Sequence, residues 1–306
     1  MTGVQTCALP IWQNGDLITF FRTYQFTVCP PAGSPCEEPL DRAPGTYSSI
    51  SSDDGKNWSP PRLLVDVDDG DFPISDYAAV TENTSGSLVL FNQAGETLTS
   101  QDGWHWAAKR KITPIVEANT AGSIFYAKDG YYYASYHWDP SGINDKKFDA
   151  FVVRSKDLII WENPVQISSG SDSEFYPALF QASSGKLYAA YASYTDKEVT
   201  IAESSDGKNW TVTGHVKTDP VFANMGLNFV EMGGRPVLLF YGGIGGTSYY
   251  SFLESGIWSK PVKFYLDASY QLDGVVLKDG SLGLAHIYYT DYYRDIYFAT
   301  GAKLKF

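Results

Sequence analysis

The chain is a succession of short apolar runs broken by glycine turns. No long stretch repeats its apolar positions at i, i+3 and i+4, so helices are not expected. Six segments instead share one layout: a strand-like run, a Gly-containing turn, then a strongly apolar strand. They read WQNGDLITFF, NTSGSLVLF, AKDGYYYASY, ASSGKLYAAY, MGGRPVLLFY and LKDGSLGLAHIYY. Their turn glycines are Gly15, Gly86, Gly130, Gly185, Gly234 and Gly280. β-Branched and aromatic residues favour the strands, and glycine supplies the tight turn of a hairpin. From Gly86 onward these glycines are almost evenly spaced. The interval from Gly15 to Gly86 is longer, and its excess falls on roughly residues 26–44.

A second marker runs in parallel. SSDDGKNW closes at Trp58, SQDGWHW at Trp106, SKDLIIW at Trp161, SSDGKNW at Trp210 and the degenerate ESGIW at Trp258. Both markers return about every 50 residues, a period that signals a repeat architecture. Each unit predicts strand, tight turn, strand, loop, strand, Ser-Asp-Gly-Trp turn and short strand. Four antiparallel strands repeated six times predict an all-β, six-bladed β-propeller occupying residues 1–306 as one domain. Within the turn, Ser and Asp side chains bond backbone groups, Gly takes a φ that other residues avoid, and Trp packs over the strands. Asp53, Asp102, Asp157 and Asp206 are therefore expected to be structural.

Composition narrows the function classes. Among 306 residues there are 22 Tyr, 17 Phe and 8 Trp, and the formal net charge is −12. An acidic surface repels phosphate backbones, which argues against a nucleic-acid partner. No apolar run approaches the length a bilayer requires, so no membrane span is expected. Cys29 and Cys36 bracket CPPAGSPC, a loop suited to a disulfide; two free thiols are the alternative. A bonded pair would imply an oxidising, extracytoplasmic compartment. Of the sequons at Asn57, Asn83 and Asn209, two fall inside the repeated turn and reflect the repeat. The opening MTGVQTCALPI has no charged n-region and no cleavage site, and resembles translated sequencing-adaptor sequence from metagenomic assemblies. Residues 1 to about 11 are therefore expected to be non-native, with a signal peptide lost upstream.

The Ser-X-Asp-X-Gly-X-X-Trp turns resemble the Asp-boxes (BNR repeats) of the sialidase (neuraminidase) superfamily. PIWQNGDLITFFR is similar to the first sialidase blade, and YQLDGVVLKDGSLGLAHIYYTDYYRDIYFATGAKL to the closing one. The resemblance covers the whole chain in pattern. It implies an extracellular, carbohydrate-active protein, an exo-acting glycoside hydrolase. Sialidases hold the substrate carboxylate with three arginines, and use a Tyr nucleophile activated by a Glu, with an Asp as acid/base. The resemblance puts the first arginine near Gln5, within the suspect segment. The second and third would follow KLYAAYASY and VLLFYGGIGG, where no arginine stands. Arg22 matches a further arginine after the second strand. Glu174, in SDSEFYPALF, matches the activating Glu. Strict spacing puts the nucleophile at Gln271, one residue beyond Tyr270. No Asp follows Arg22 until Asp41. A carboxylate-bearing sugar without its arginine clamp is poorly held, so the substrate is expected to differ from sialic acid.

Topology gives a second route to the site. The functional mouth should gather the starts of first strands and the ends of second strands. The starts contribute Asp71, Asp76, Glu117, Asn119, Asp172, Glu174, Asn224, Asp267 and Tyr270. The ends contribute Arg22, Asn92, His137, Asp139, Tyr191, Tyr194, Tyr241, Tyr288 and Asp291. Carboxylates can perform glycosidic acid/base chemistry and aromatic faces stack on sugar rings. Glu174, Tyr270, Asp71, Asp76 and His137 are the catalytic candidates. Arg22, Asn92, Asp139, Tyr191, Tyr194, Tyr241 and Tyr288 are the substrate-binding candidates. No cofactor is expected; DVDDGDFP (66–73) is the nearest approach to a structural calcium loop. The alternatives are a non-catalytic glycan-binding or cell-surface propeller, and a polysaccharide lyase using His137 with a Tyr.

Overall fold

In the computed structural model of the protein the described residues are 2–7, 15–25, 45–66, 79–92, 95–107, 109–112, 120–139, 147–168, 170, 172–193, 197–217, 223–242, 247–263, 269–289, 294–302 and 304. They form six antiparallel sheets in chain order. Blade 1 comprises β1 (Thr2–Cys7), β2 (Leu17–Gln25), β3 (Gly45–Ser51) and β4 (Arg62–Asp66). Blade 2 comprises β5 (Ala79–Glu82), β6 (Leu88–Phe91), β7 (Glu96–Ser100) and β8 (Arg110–Lys111). Blade 3 comprises β9 (Thr120–Tyr126), β10 (Tyr132–Trp138), β11 (Asp149–Ser155) and β12 (Val165–Gln166). Blade 4 comprises β13 (Glu174–Gln181), β14 (Leu187–Ser193), β15 (Glu198–Ser204) and β16 (Thr211–Lys217). Blade 5 comprises β17 (Ala223–Met232), β18 (Arg235–Gly242) and β19 (Thr247–Glu254), with its outer edge in two short pieces, β20 (Ile257–Trp258) and β21 (Val262–Lys263). Blade 6 has β22 (Ser269–Val276), β23 (Leu282–Tyr289) and β24 (Arg294–Ala302) among the described residues. Strands β5, β9, β13, β17 and β22 pack side by side as the innermost strands, so the blades form a propeller. Thr2–Cys7 pairs in register with β2 and runs against β23 and β24 of the last blade.

The core lies between blades. Successive side chains of a strand point to opposite faces, and each blade has a neighbour on both faces. In β14, Leu187, Ala189 and Tyr191 join a cluster with Tyr133 and Val152 of blade 3. The alternate residues Tyr188, Ala190 and Ala192 join Phe229, Leu238 and Trp258 of blade 5. In β6, Leu88 and Leu90 meet Ile18 and Phe20 of blade 1, while Val89 and Phe91 meet Tyr136 and Val153 of blade 3. This double burial explains why second strands read as unbroken apolar runs. The ring closes through Leu17 of blade 1 against Val275, Leu277 and Ala285 of blade 6.

The repeated Ser-X-Asp turn has one geometry in blades 2, 3 and 4, and blade 1 builds a similar turn around one extra residue, Asp54, at φ +58°. In blade 4 the Ser204 hydroxyl accepts the N–H groups of Asp206 (3.3 Å) and Gly207 (2.9 Å) and donates to Asp206. Asp206 then accepts the N–H groups of Lys208 and Asn209 at 2.8 Å each, and the Asn209 amide at 2.7 Å. Equivalent bonds recur at Ser51/Asp53, Ser100/Asp102 and Ser155/Asp157. Hydrogen bonds to the ionised form hold these carboxyls below the ordinary range; Asp53 falls to about 2, chiefly through Asn57. Asn57 and Asn209 spend their side-chain amides inside the turns, and the Asn83 amide donates to Tyr132 Oη at 2.9 Å.

The turn glycine also faces the preceding blade. Gly207 has φ +69°, and a methyl group there would overlap the ring of Tyr133 in blade 3. Arg154, also in blade 3, donates to the Asp206 carbonyl at 2.7 Å and to Glu162 at 3.0 Å. Gly207→Ala should therefore cost about 1–2 kcal/mol from the left-handed backbone and roughly another 1–3 kcal/mol from overpacking. Gly185, at φ +90° with open space around it, should show only the backbone cost on substitution by Ala. Urea unfolding of the two variants measures the difference, and equal losses would show that the Tyr133 contact is dispensable.

Candidate active site

Hairpin turns and Ser-X-Asp turns occupy one face of the propeller. The opposite face gathers the starts of the first and third strands and the ends of the second and fourth. Glu174 opens β13 there and is 4% exposed. Its N–H donates to the Phe148 carbonyl at 2.8 Å, and the Phe148 N–H donates to Ser173 Oγ at 3.2 Å. These two bonds clamp the start of blade 4 to the start of β11 in blade 3. Asp149, 3% exposed, stands next to that clamp, with Lys147 Nζ 3.5 Å from its carboxylate. Ser168, at the end of the outer strand of blade 3, accepts the Ala150 N–H at 2.9 Å and lies 3.5 Å from Asp149 Oδ1.

Two carboxyl groups are thus buried together, beside a half-exposed ammonium group. Burial first, and the nearby Asp149 charge second, push Glu174 up to about 7; hydrogen bonds from Ser168 and the Gly170 N–H oppose this. Gly170 makes the approach possible, because any Cβ there would strike Glu174 Oε1. Glu174 Oε2 is buried with no hydrogen-bond partner among the described residues. A carboxyl group near neutrality with one uncommitted oxygen is equipped to exchange a proton.

His137 lies near the end of β10 on this face and is 3% exposed. Its ring sits among Phe148, Phe175 and Tyr176, with centroids 5.2–5.4 Å away. Nδ1 accepts the Tyr176 N–H at 3.2 Å, and burial lowers its pKa to about 4. The imidazole is therefore neutral across physiological pH, and one nitrogen is spent on holding Tyr176, a residue at φ +53°. Phe148, Phe175 and Tyr176 are half-buried aromatics around this anchor.

The other sequence candidates divide clearly. Tyr191 is buried in the blade 3–blade 4 interface, donates to the Ile167 carbonyl at 3.1 Å, and has its pKa raised by burial and by Glu174. Asn92 closes its own hairpin: it accepts the Glu96 N–H at 2.9 Å and donates to Glu96 Oε2 at 3.0 Å. Asp139 follows β10, half-buried, at the same end as His137. Tyr241 is buried in β18. Arg22, Asn224, Tyr270 and Tyr288 lie on β2, β17, β22 and β23, and their side chains are outside the description. Asp71, Asp76, Glu117, Asn119, Tyr194, Asp267 and Asp291 lie outside the described residues, as do Cys29, Cys36 and most of DVDDGDFP. No cluster of three or more His, Cys, Asp and Glu able to hold a metal occurs among the described residues.

The register of β22 is irregular beside Tyr270. Between Ser269↔Tyr288 and Leu272↔His286, β22 advances three residues while β23 advances two. The bulge adds one residue to the start of the strand, where Tyr270 lies. The inner strands β9, β13 and β17 carry comparable bulges at the same end. Bulges re-aim side chains near functional sites, and simple counting from the turn glycine misses them. Sequence reasoning also missed Asp149, Lys147, Ser168 and Gly170, because it did not include the starts of third strands or the ends of fourth strands in the mouth. The available signal was a lone Asp heading the otherwise apolar run DAFVV.

The ring of antiparallel blades and their Ser-X-Asp turns define a sialidase-like β-propeller. The chain belongs to the BNR repeat-like domain family, whose model matches residues 45–249. Among curated proteins, no sequence matches it significantly. Solved structures share the fold at low identity. A protein of unknown function from Dyadobacter fermentans is 15% identical, with a TM-score of 0.70 over 98% of this chain and 94% of that one. The Hadza microbial sialidase Hz136 is 16% identical, with a TM-score of 0.66 over 97% of this chain and 65% of that one, so this chain spans under two thirds of that sialidase. The α-L-arabinanase of Penicillium chrysogenum, solved with arabinobiose, is 18% identical, with a TM-score of 0.63 over 93% of this chain and 88% of that one.

Glu174 carries a stability consequence that needs no substrate. Its folded pKa lies above the ordinary value, so its neutral form suits the fold: the contribution is complete below about 4.5 and is lost as pH rises through 7. Glu174→Gln should therefore exceed wild type in stability at pH 8 by up to about 3 kcal/mol, with the gain falling below about 1 kcal/mol by pH 5. Thermal unfolding at both pH values measures this, and a gain that does not depend on pH would contradict a buried, proton-retaining carboxyl.

Proposed function

We propose that the protein is a glycoside hydrolase acting on the exposed end of a glycan. The observation that carries the reading is Glu174: buried at the mouth, raised to about 7, with one oxygen uncommitted among the described residues. Glu174 accepts the proton of the Tyr270 hydroxyl as that oxygen attacks the anomeric carbon. The glycosidic C–O bond breaks as Asp71 or Asp76 gives a proton to the leaving oxygen. Water then hydrolyses the tyrosyl intermediate. The aromatic edge of Phe148, Phe175 and Tyr176 offers a stacking surface for a sugar ring. Arg22 contacts the substrate. The positions after β14 and β18 that would complete an arginine clamp hold no arginine, which favours a sugar without a carboxylate. The sialidase and arabinanase relatives support carbohydrate as the substrate class. The pair Cys29 and Cys36 supports an extracellular location.

A panel of fluorogenic glycosides, including arabinosides, galactosides and sialosides, tests the reading. Wild type should turn over at least one of them, and Glu174→Gln should lose about 10²–10⁴-fold in kcat, the usual weight of a positioned acid/base. Full activity in that variant would remove Glu174 from the chemistry. No turnover, together with retention on a glycan array, would make the protein a binding module.

A further inference from the structure

We propose that Asp149, held by Lys147, is a positioning residue that sets the protonation of Glu174. This deepens the hydrolase reading and rests on Glu174 being its reacting group. The geometry brings the two carboxyl groups to one clamp and one serine. The reciprocal bonds between Phe148 and residues 173–174 lock the two strand starts together, which keeps the backbones that carry the two carboxyls adjacent. Ser168 stands between them: it lies 3.5 Å from Asp149 Oδ1 and also bonds Glu174. Its hydroxyl has a single proton, and its oxygen already accepts the Ala150 N–H. It can donate to one carboxyl at a time, so the two compete for it. Lys147 compensates one negative charge of the pair and not both.

Among the described residues the ionisable groups around Glu174 are few; the proposed reaction adds Tyr270, Arg22 and Asp71 or Asp76, which Asp149→Asn and Lys147→Met both leave in place. Asp149 and Lys147 belong to the β11 side, and Tyr191 to β14. Asp172 lies in the loop leading into β13, and Glu198 faces Ser193 across β14–β15. His137, on β10, stays neutral. Asp149 disfavours a second negative charge on Glu174, and Lys147 favours it. Removing the two should therefore act in opposite directions, which loss of structure does not do.

The test is the titration of Glu174 in the full chain, followed by NMR of protein carrying ¹³C-labelled glutamate carboxyls and assigned with Glu174→Gln. The wild-type midpoint should lie near 7. Asp149→Asn should lower it by about one unit or more, and Lys147→Met should raise it. Lys147 is 40% exposed, so its substitution leaves the core intact and serves even where Asp149→Asn folds poorly. A midpoint that stays in place in either folded variant, or moves the same way in both, overturns the proposal. The titration uses no substrate, so it can fail while the glycoside panel succeeds, and the reverse.

Discussion

The inner strands impose the constraint on which the ring depends. Each pairs through one edge within its own blade, and the other edge looks toward the axis, where no strand continues the ladder. Buried N–H groups on that edge still require acceptors. Side chains of neighbouring blades supply them. Thr81 accepts the Tyr126 N–H at 3.1 Å, Ser123 accepts the Leu179 N–H at 2.7 Å, and Asn228 accepts the Gly274 N–H at 3.4 Å. Gln181 does the same for Lys128, and Glu231 for Ser183, at the hairpin turns. The blades are joined by satisfied donors as well as by apolar contact, and these joints fix the relative height of adjacent inner strands. The placement of Glu174 beside Asp149 follows from a similar joint, the one at Phe148.

The fold was legible because it is written locally and repeatedly. All six turn glycines adopt positive φ, from +74° to +90°, as their spacing from the strands requires. The Ser and Asp side chains of the repeated turn serve their own backbone, which any copy of the motif can do alone. Even the exception obeys the rule of local chemistry: Leu158 occupies the glycine position of the third turn at φ +62° and packs into the cluster shared with blade 2.

The site was only half legible, for a different physical reason. Glu174 could be found from its place at the opening of a blade. Its partner Asp149 comes earlier in the chain, on another blade, and their approach depends on a crossing loop whose Gly170 leaves room for a carboxyl group. Neither feature repeats in the chain. His137 and Asn92 illustrate the converse. Each stands at the end of a second strand, as a mouth residue should, yet the aromatic packing of one and the hairpin bonds of the other commit them to structure. Position along a strand tells which end a residue occupies; only tertiary packing tells whether its polar atoms remain free.

The contact between each Ser-X-Asp turn and the blade before it also bears on how a repeat protein avoids confusing its own parts. Gly207 accommodates Tyr133, Gly55 accommodates Phe298, and Leu158 shares a cluster with Val89. A large residue on one blade meets a missing side chain on the next, and a smaller residue meets a leucine. Near-identical strands in tandem are prone to pairing with the wrong copy during folding. At these three junctions the fit is particular to the neighbour, so a blade docked out of turn there would meet either a void or an overlap. The small irregularities of the motif thus give these blades different addresses, and so favour one cyclic order over its permutations.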